Sequence, residues 1–133
     1  MRKKAIFISL IFALCLAITA LTIWNKPHRD VSNEQAISIT AATLFTEYSA
    51  DEHAADGRFL NKALEVSGKV AETDTNQDGQ IVLVLDAGGP EGAVSCTMRE
   101  RNIAVRTQDQ VTVKGICTGM VMDVVLTDCV LVK

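Results

Sequence analysis

Leu64-Glu65-Val66-Ser67-Gly68-Lys69-Val70 is the stretch whose reading decides the fold of this 133-residue chain. Leu64, Val66 and Val70 alternate with Glu65, Ser67 and Lys69, and a period of two puts successive side chains on opposite faces of a strand. Gly68 falls on the apolar side, where a glycine marks a bulge or a tight bend. The same period returns downstream. Ile81 to Leu85 reads as a short apolar strand, and Ala93 to Met98 carries Val94, Cys96 and Met98 on one face. Val111-Thr112-Val113-Lys114-Gly115 opens a fourth strand, and Val124 to Val132 forms a fifth. Asp74 to Gly79 and Gly88-Gly89-Pro90-Glu91-Gly92 are turns, Arg99 to Thr107 is a polar connector or single helical turn, and Gly119 to Asp123 joins the last two strands. Five short strands with a connector between the third and the fourth match a Greek-key barrel of the OB type, whose closure removes exposed edges. The fold class expected is therefore all-β with N-terminal helices.

Upstream, the period is helical. Ser32-Asn33-Glu34-Gln35 has the form of a capping box, and Ile37, Ala41, Leu44, Phe45 and Tyr48 follow on one helix face. Ser49-Ala50-Asp51-Glu52 reads as a second box that starts a short helical turn through Ala55, ended by Asp56-Gly57. Phe45, Tyr48 and Phe59 fall on the apolar period and are expected to pack in the core or as a lid over it.

The chain opens with Arg2-Lys3-Lys4, then runs uncharged from Ala5 to Trp24. A helix of that length is roughly 30 Å long, the thickness of a bilayer's hydrocarbon core. Cations before it and none inside it hold the N-terminus in the cytoplasm and send the body across. Ile18-Thr19-Ala20 is a poor cleavage site, and Trp24 with Lys26 suits the outer interface, so an uncleaved anchor is favoured over a removed signal. Cys15, preceded by Leu14 and followed by more uncharged residues, reads as an apolar helix residue rather than an acylation site. The organisation expected is a transmembrane or signal segment over residues 1–24, a linker over 25–31 that holds Pro27 and His28, and a domain over 32–133.

That body is acidic. From Val31 to Lys133 there are eight Lys and Arg against fifteen Asp and Glu, a net charge of −7. Such a surface repels phosphate backbones, and the five strands hold no Phe, Tyr or Trp on which bases could stack. Nucleic acid is thus not the partner expected, although the barrel alone would suggest it.

Metal and catalytic chemistry have little to stand on. Asp74-Thr75-Asn76-Gln77-Asp78-Gly79 matches the first half of a calcium loop, but Leu85 occupies the place of the bidentate carboxylate at position twelve. No Cys-x-x-Cys occurs, and His53 stands among Asp51, Glu52 and alanines on what reads as a solvated helix face. No metal, no cofactor and no catalytic residue is expected, and the chain is expected not to be an enzyme. Cys96, Cys117 and Cys129 all point inward by parity, and an exported domain is expected to hold a disulfide. A hairpin centred near Val121 would set Cys117 about 13 Å along the strands from Cys129, beyond the roughly 7 Å that a bridge allows. Barrel topology sets the third and fifth strands side by side, which makes Cys96–Cys129 the easier pair, while a shifted register would restore Cys117–Cys129.

Leu64 to Val70, Val94-Ser95-Cys96, Val111 to Gly119 and Asp123 to Cys129 together resemble the tRNA_anti-like OB-fold family, which occurs in exported and lipoprotein-like bacterial proteins. The resemblance spans roughly residues 33–133 and includes the preceding helical segment with Ala54-Ala55 and Asn61-Lys62. It implies the barrel, and it implies no agreed activity and no catalytic residues. OB barrels bind through the face of their second and third strands and the adjoining loops. Here those regions hold Val82, Val84, Ser95, Thr97 and Arg99, with Asp86 to Gly92 as the loop and Asp86 and Glu91 its charged members. The function expected is a membrane-tethered module outside the cytoplasmic membrane, held through residues 5–24, that binds an envelope protein, peptide or glycan. A single-stranded nucleic-acid binder and a thiol-based redox protein are the alternatives.

Overall fold

Leu64–Val70 is the first half of a longer strand. The computed structural model describes residues 1–24 and 29–132. The readings placed on Lys26, Pro27 and His28, and most of the linker, lie outside them. Helix α1 (Arg2–Trp24) buries none of its residues and is long and apolar enough to cross a membrane. After a single 3-10 turn (Val31–Asn33) come β1 (Ile37–Thr40), α2 (Ala41–Ala50) and α3 (Glu52–Phe59). The barrel strands are β2 (Ala63–Thr75), β3 (Ile81–Gly89), β4 (Gly92–Met98), β5 (Gln110–Met120) and β6 (Val124–Val132).

The sheet order is β1-β2-β3-β4-β6-β5, and β2 pairs again with β5, so five strands close on themselves. The β4–β6 pair is parallel and the other barrel pairs are antiparallel, the Greek-key arrangement expected of an OB barrel. Inside lie Leu64, Val66, Val70, Leu83, Leu85, Val94, Cys96, Met98, Val113, Cys117, Val124, Leu126 and Cys129. Leu44, Tyr48, Ala55 and Phe59 from α2 and α3 pack against them. Tyr48 and Phe59 are buried as expected, with ring centroids 6.2 Å apart.

Several local expectations are corrected. Ser32 to Gln35 does not cap a helix: Asp30 caps the 3-10 turn by accepting from the Ser32 amide, and Ile37–Thr40 is a strand. It pairs parallel to β2, from Ile37↔Leu64 to Thr40↔Ser67, along the edge that β3 leaves free until Lys69. The cap of α2 is Thr40, whose hydroxyl accepts from the Thr43 amide at 3.2 Å. Asp51, not Ser49, caps α3, which runs through Asp56-Gly57 and ends at Leu60 and Asn61, the latter at φ 60°. The bulge of β2 lies between Val70 and Glu72 rather than at Gly68. Gly68 serves close approach instead, since a Cβ there would stand 3.0 Å from the Ala41 Cβ and 3.3 Å from that of Leu85. β2 also runs on through Thr75, so the turn is confined to Asn76–Gln80, where the Asn76 carboxamide oxygen accepts from the Asp78 and Gln80 amides. Arg99 to Thr107 forms no helix. The β5–β6 hairpin turns about Met122, pairing Met120 with Val124 and Val113 with Leu131.

Candidate binding face

The outward side chains of β2, β3 and β4 form two neighbouring rows. Asp74, Val82 and Thr97 lie in one register row, and Glu72, Val84 and Ser95 in the next. At the β3–β4 turn end of the sheet Lys69 pairs with Asp86, and Asp86 with Ala93. Inward parity at Leu83, Leu85, Val94 and Cys96, all wholly buried, forces Val82, Val84, Ser95 and Thr97 outward. Those four expected binding residues therefore share a face, and Asp86 borders it. The Asp86 carboxylate accepts from the Gly88 amide at 2.7 Å, which shapes the loop that leads to Glu91 in the two-residue turn Pro90-Glu91.

Arg99 does something else. Its guanidinium grips Asp128 through two bonds of 2.8 and 2.7 Å and reaches Asp30 at 3.3 Å. The paired carboxylates, Asp128 first, raise its pKa still further above the ordinary arginine value. Asp128 sits at φ 55°, in the bulge where β6 slips between Leu126 and Cys129 against β4. Arg99 thus ties the barrel to the chain leading in from α1 and is not free to meet a ligand. Arg29 completes the tie: it pairs with Glu34 and donates to the Asn61 carbonyl at 2.8 Å. Lys114 donates to the carbonyls of Ser32 and Glu34. Val31, completely buried, seals this strap against the barrel. Asp30 is held below the usual carboxylate range by hydrogen bonds from Ser32, with Arg99 adding, and Glu34 by its bond to Arg29.

One feature of the face escaped the sequence reading. Val121 and Met122, at the β5–β6 turn, are 89% and 83% exposed, the most exposed large apolar side chains of the body. The next residue, Asp123, accepts from the Ser95 hydroxyl at 3.2 Å, joining this apolar tip to the β4 row. An adjacent Val-Met pair centred in a hairpin was the available signal, because neither side chain is needed by a turn.

The cysteines are sorted by the barrel. All three body thiols are buried and unbridged, and Cys15, also unbridged, is exposed on α1. Cys117 lies 3.3 Å from the Tyr48 hydroxyl, which burial first and this contact second keep protonated far above its usual range. Cys129 lies against Cys96, and that hydrogen bond followed by burial pushes its pKa well above the ordinary thiol value. Gly115 makes room for it, since a Cβ there would come within 2.4 Å of the Cys129 sulfur. Asp56 Oδ1, beneath α3, is buried with no hydrogen-bond partner. His53 is exposed, and among the described residues no group of three or more His, Cys, Asp or Glu side chains is placed to hold a metal ion.

Comparison with known proteins agrees with the barrel fold. The sequence profile of the tRNA_anti-like family matches residues 1–131. The chain belongs to this family. Among curated proteins none matches the chain. Among solved structures it is similar to a candidate nucleic acid-binding lipoprotein from Klebsiella pneumoniae subsp. pneumoniae, at 15% identity and a TM-score of 0.62, over 81% of this chain and all of that one. At this identity the likeness is one of fold. A candidate aspartyl-tRNA synthetase from Leishmania major aligns at 12% identity and a TM-score of 0.47, over 81% of this chain and 23% of the synthetase. In this chain the tRNA_anti-like barrel follows an apolar N-terminal helix fit to serve as anchor or signal.

Proposed function

We propose that this protein is a non-catalytic binding module, tethered by α1 to the cytoplasmic membrane, whose barrel lies on the far side and takes an extended polypeptide segment across the β3–β4 face. The observation that carries the reading is the junction of that face with the Val121–Met122 tip. Aliphatic Val82 and Val84, hydroxyls of Ser95 and Thr97, and the carboxylates of Glu72, Asp74, Asp86 and Asp123 suit a peptide with apolar and basic side chains. Arg2-Lys3-Lys4 before an uncharged helix supports the orientation.

The name of the Klebsiella lipoprotein favours a second reading, a nucleic acid ligand. Single strands need stacking aromatics in a cationic groove. This face has Lys69 among four carboxylates and no aromatic ring in its strands, which supports the peptide.

Photo-crosslinkers at Val84 and Met122 of the full chain in cells separate the two, with Glu52 on α3 as the exposed control. Protease-sensitive adducts from Val84 and Met122, and none from Glu52, are expected. Equal adducts at all three positions, or nuclease-sensitive ones, would overturn the reading. A C-terminal reporter active only in the cytoplasm would overturn the address.

A further inference from the structure

We propose that the Ala71–Thr75 edge of β2 takes an extended, basic segment of a partner polypeptide as an added strand. The inference rests on the peptide reading above and adds how the main chain of the ligand is held. β2 has different neighbours along its two halves. On one side Ala63 to Lys69 pair with β5; on the other, Lys69 to Thr75 pair with β3. The last main-chain bonds on the β5 side are those of Val70, whose amide donates to the Asp109 carbonyl at 2.9 Å and whose carbonyl accepts from the Gln108 amide at 2.7 Å. Beyond it Ala71, Glu72, Thr73, Asp74 and Thr75 are all exposed, and among the described residues no strand pairs with that side of them. The Asn76 amide donates to the Gln80 carbonyl at 3.0 Å, so the β2–β3 hairpin closes on a bonded pair. Bonded and unbonded pairs alternate along antiparallel strands. Asp74↔Val82 and Glu72↔Val84 are therefore bonded, and Thr73↔Leu83 and Thr75↔Ile81 are not. The main-chain groups of Thr73 and Thr75 accordingly turn away from β3, toward the open side. Val70 faces that side too, because the bulge between it and Glu72 inserts one residue and shifts the alternation. The Asp74 carboxylate satisfies the Thr75 amide at 2.7 Å. The Thr73 amide and carbonyl and the Thr75 carbonyl are left for a partner strand.

The charge of this edge selects the occupant. From Val70 to Val84 the chain holds Glu72, Asp74 and Asp78 and no Lys or Arg. Glu72 and Asp74 lead the two outward rows that run on through Val84 and Ser95, and through Val82 and Thr97. An added strand would set alternate side chains about 5 Å from these two carboxylates. A second copy of the same edge would bring carboxylates face to face, which is unfavourable, whereas Lys or Arg at those places is drawn in. When an extended peptide joins a sheet edge, its main chain gives affinity and its side chains give specificity. The segment would thus enter the binding face from its β2 side, where Glu72 and Asp74 stand.

The test measures binding of a short fluorescent peptide of alternating Lys and Val to the full chain in nonionic detergent. A second peptide has the same sequence with its backbone amides N-methylated, which removes the N–H groups and keeps every charge. The parent is expected to bind, and methylation to weaken binding about tenfold or more. A peptide of alternating Glu and Val is expected not to bind. Thr73→Pro, which removes the amide at an edge where proline is tolerated, should give the same loss, and Thr73→Val should not. Equal affinity of the parent and methylated peptides, or no binding of the parent, overturns the inference. Should Thr73→Pro fail to fold, the methylated peptide decides with the unaltered chain. Photo-crosslinking separates this inference from the reading beneath it. Polypeptide adducts at Val84 that survive undiminished in a folded Thr73→Pro chain overturn the edge pairing and leave the binding face standing. Absence of such adducts from the unaltered chain overturns both.

Discussion

The space above Gly115 makes a quantitative prediction. A Cβ at this position would stand 2.4 Å from the Cys129 sulfur and 3.1 Å from the Thr127 carbonyl oxygen. Comfortable contact begins near about 3.5 Å, so the sulfur would have to yield by about 1 Å. Cys129 is fully buried, so its sulfur cannot yield into solvent. Overpacking of this kind costs about 1–3 kcal/mol, and the immobile sulfur argues for the upper half of that range. The Gly→Ala gain from a less flexible unfolded chain offsets about 0.4–1 kcal/mol. Gly115→Ala is therefore expected to destabilise the barrel by about 2 kcal/mol, or roughly 8–16 °C in Tm for a domain of this size.

Cys129→Ala alone removes a buried sulfur and is expected to cost about 1–2 kcal/mol. In that background Gly115→Ala meets only the Thr127 oxygen, and its cost falls to about 0.5 kcal/mol. The coupling between the two sites is then about 1.5 kcal/mol in favour of the double variant. Urea unfolding of the full chain in detergent, with reductant present so that no bridge contributes, measures all four corners of the cycle. Near-UV dichroism of Tyr48, the only tyrosine, reports the loss of barrel packing. Costs that add within about 0.5 kcal/mol would mean that Gly115 is not there for the sulfur, and the reasoning would fail.

Arg99→Ala should lower stability by no more than about 1 kcal/mol, because its pairs are partly exposed, but it should free the strap and raise proteolysis at Arg29. Asp30 and Glu34 have lowered pKa values in the fold, so the stability they lend is complete above about pH 4–5 and drains away as pH falls through those lowered values. The Tm deficit of Asp30→Asn should accordingly be widest near neutrality and close on acidification; a deficit that widens in acid would contradict the strap. Tyr48 has the opposite sense, its raised pKa giving stability below about pH 10 that is lost above it, so phenolate absorbance should appear only together with unfolding. Tyr48→Phe should cost about 0.5–1.5 kcal/mol, measured by the same urea titration. Val121→Asp with Met122→Asp should abolish the crosslinks from Val84 while moving stability by less than about 0.5 kcal/mol, since neither side chain is packed.

The barrel was legible because its strands obey period two between turn residues, and β6 was read with its observed ends, Val124 and Val132. The preceding segment was not, and the reason is specific. Ile37, Ala41, Leu44, Phe45 and Tyr48 satisfy a helical period, but Ile37 and Ile39 also alternate, and the free edge of β2 claims them for a strand. Only that tertiary partner decides. Thr40 then becomes the cap, a role with no capping-box glutamate three residues on to announce it. Four of the binding-face residues followed from parity alone. Arg99 shares that parity, yet its partner Asp128 reaches it because a bulge with left-handed φ displaces β6, an irregularity that alternation cannot foresee.

The strap and the anchor together limit where this face can work. Arg29 is pinned to Glu34 and Asn61, and five peptide steps separate it from Trp24 at the end of α1. However residues 25–28 are arranged, they span at most about 18 Å. With α1 in the bilayer, the strap end of the barrel is held within that distance of the membrane interface. The β5–β6 tip lies toward the other end of the strands, since Val124 pairs with Val94 whereas Cys129 pairs with Met98 beside Arg99. Under the proposed address the tip meets its ligand within a bounded height above the membrane. Inserting about ten Gly and Ser residues before Arg29 would loosen that height by roughly 17 Å while leaving the strap and the barrel intact. Crosslinking from Met122 should fall several-fold, with unchanged Tm and unchanged reporter topology. Undiminished crosslinking would show that the partner is reached at any height, and that the short tether serves only to keep the barrel at the membrane.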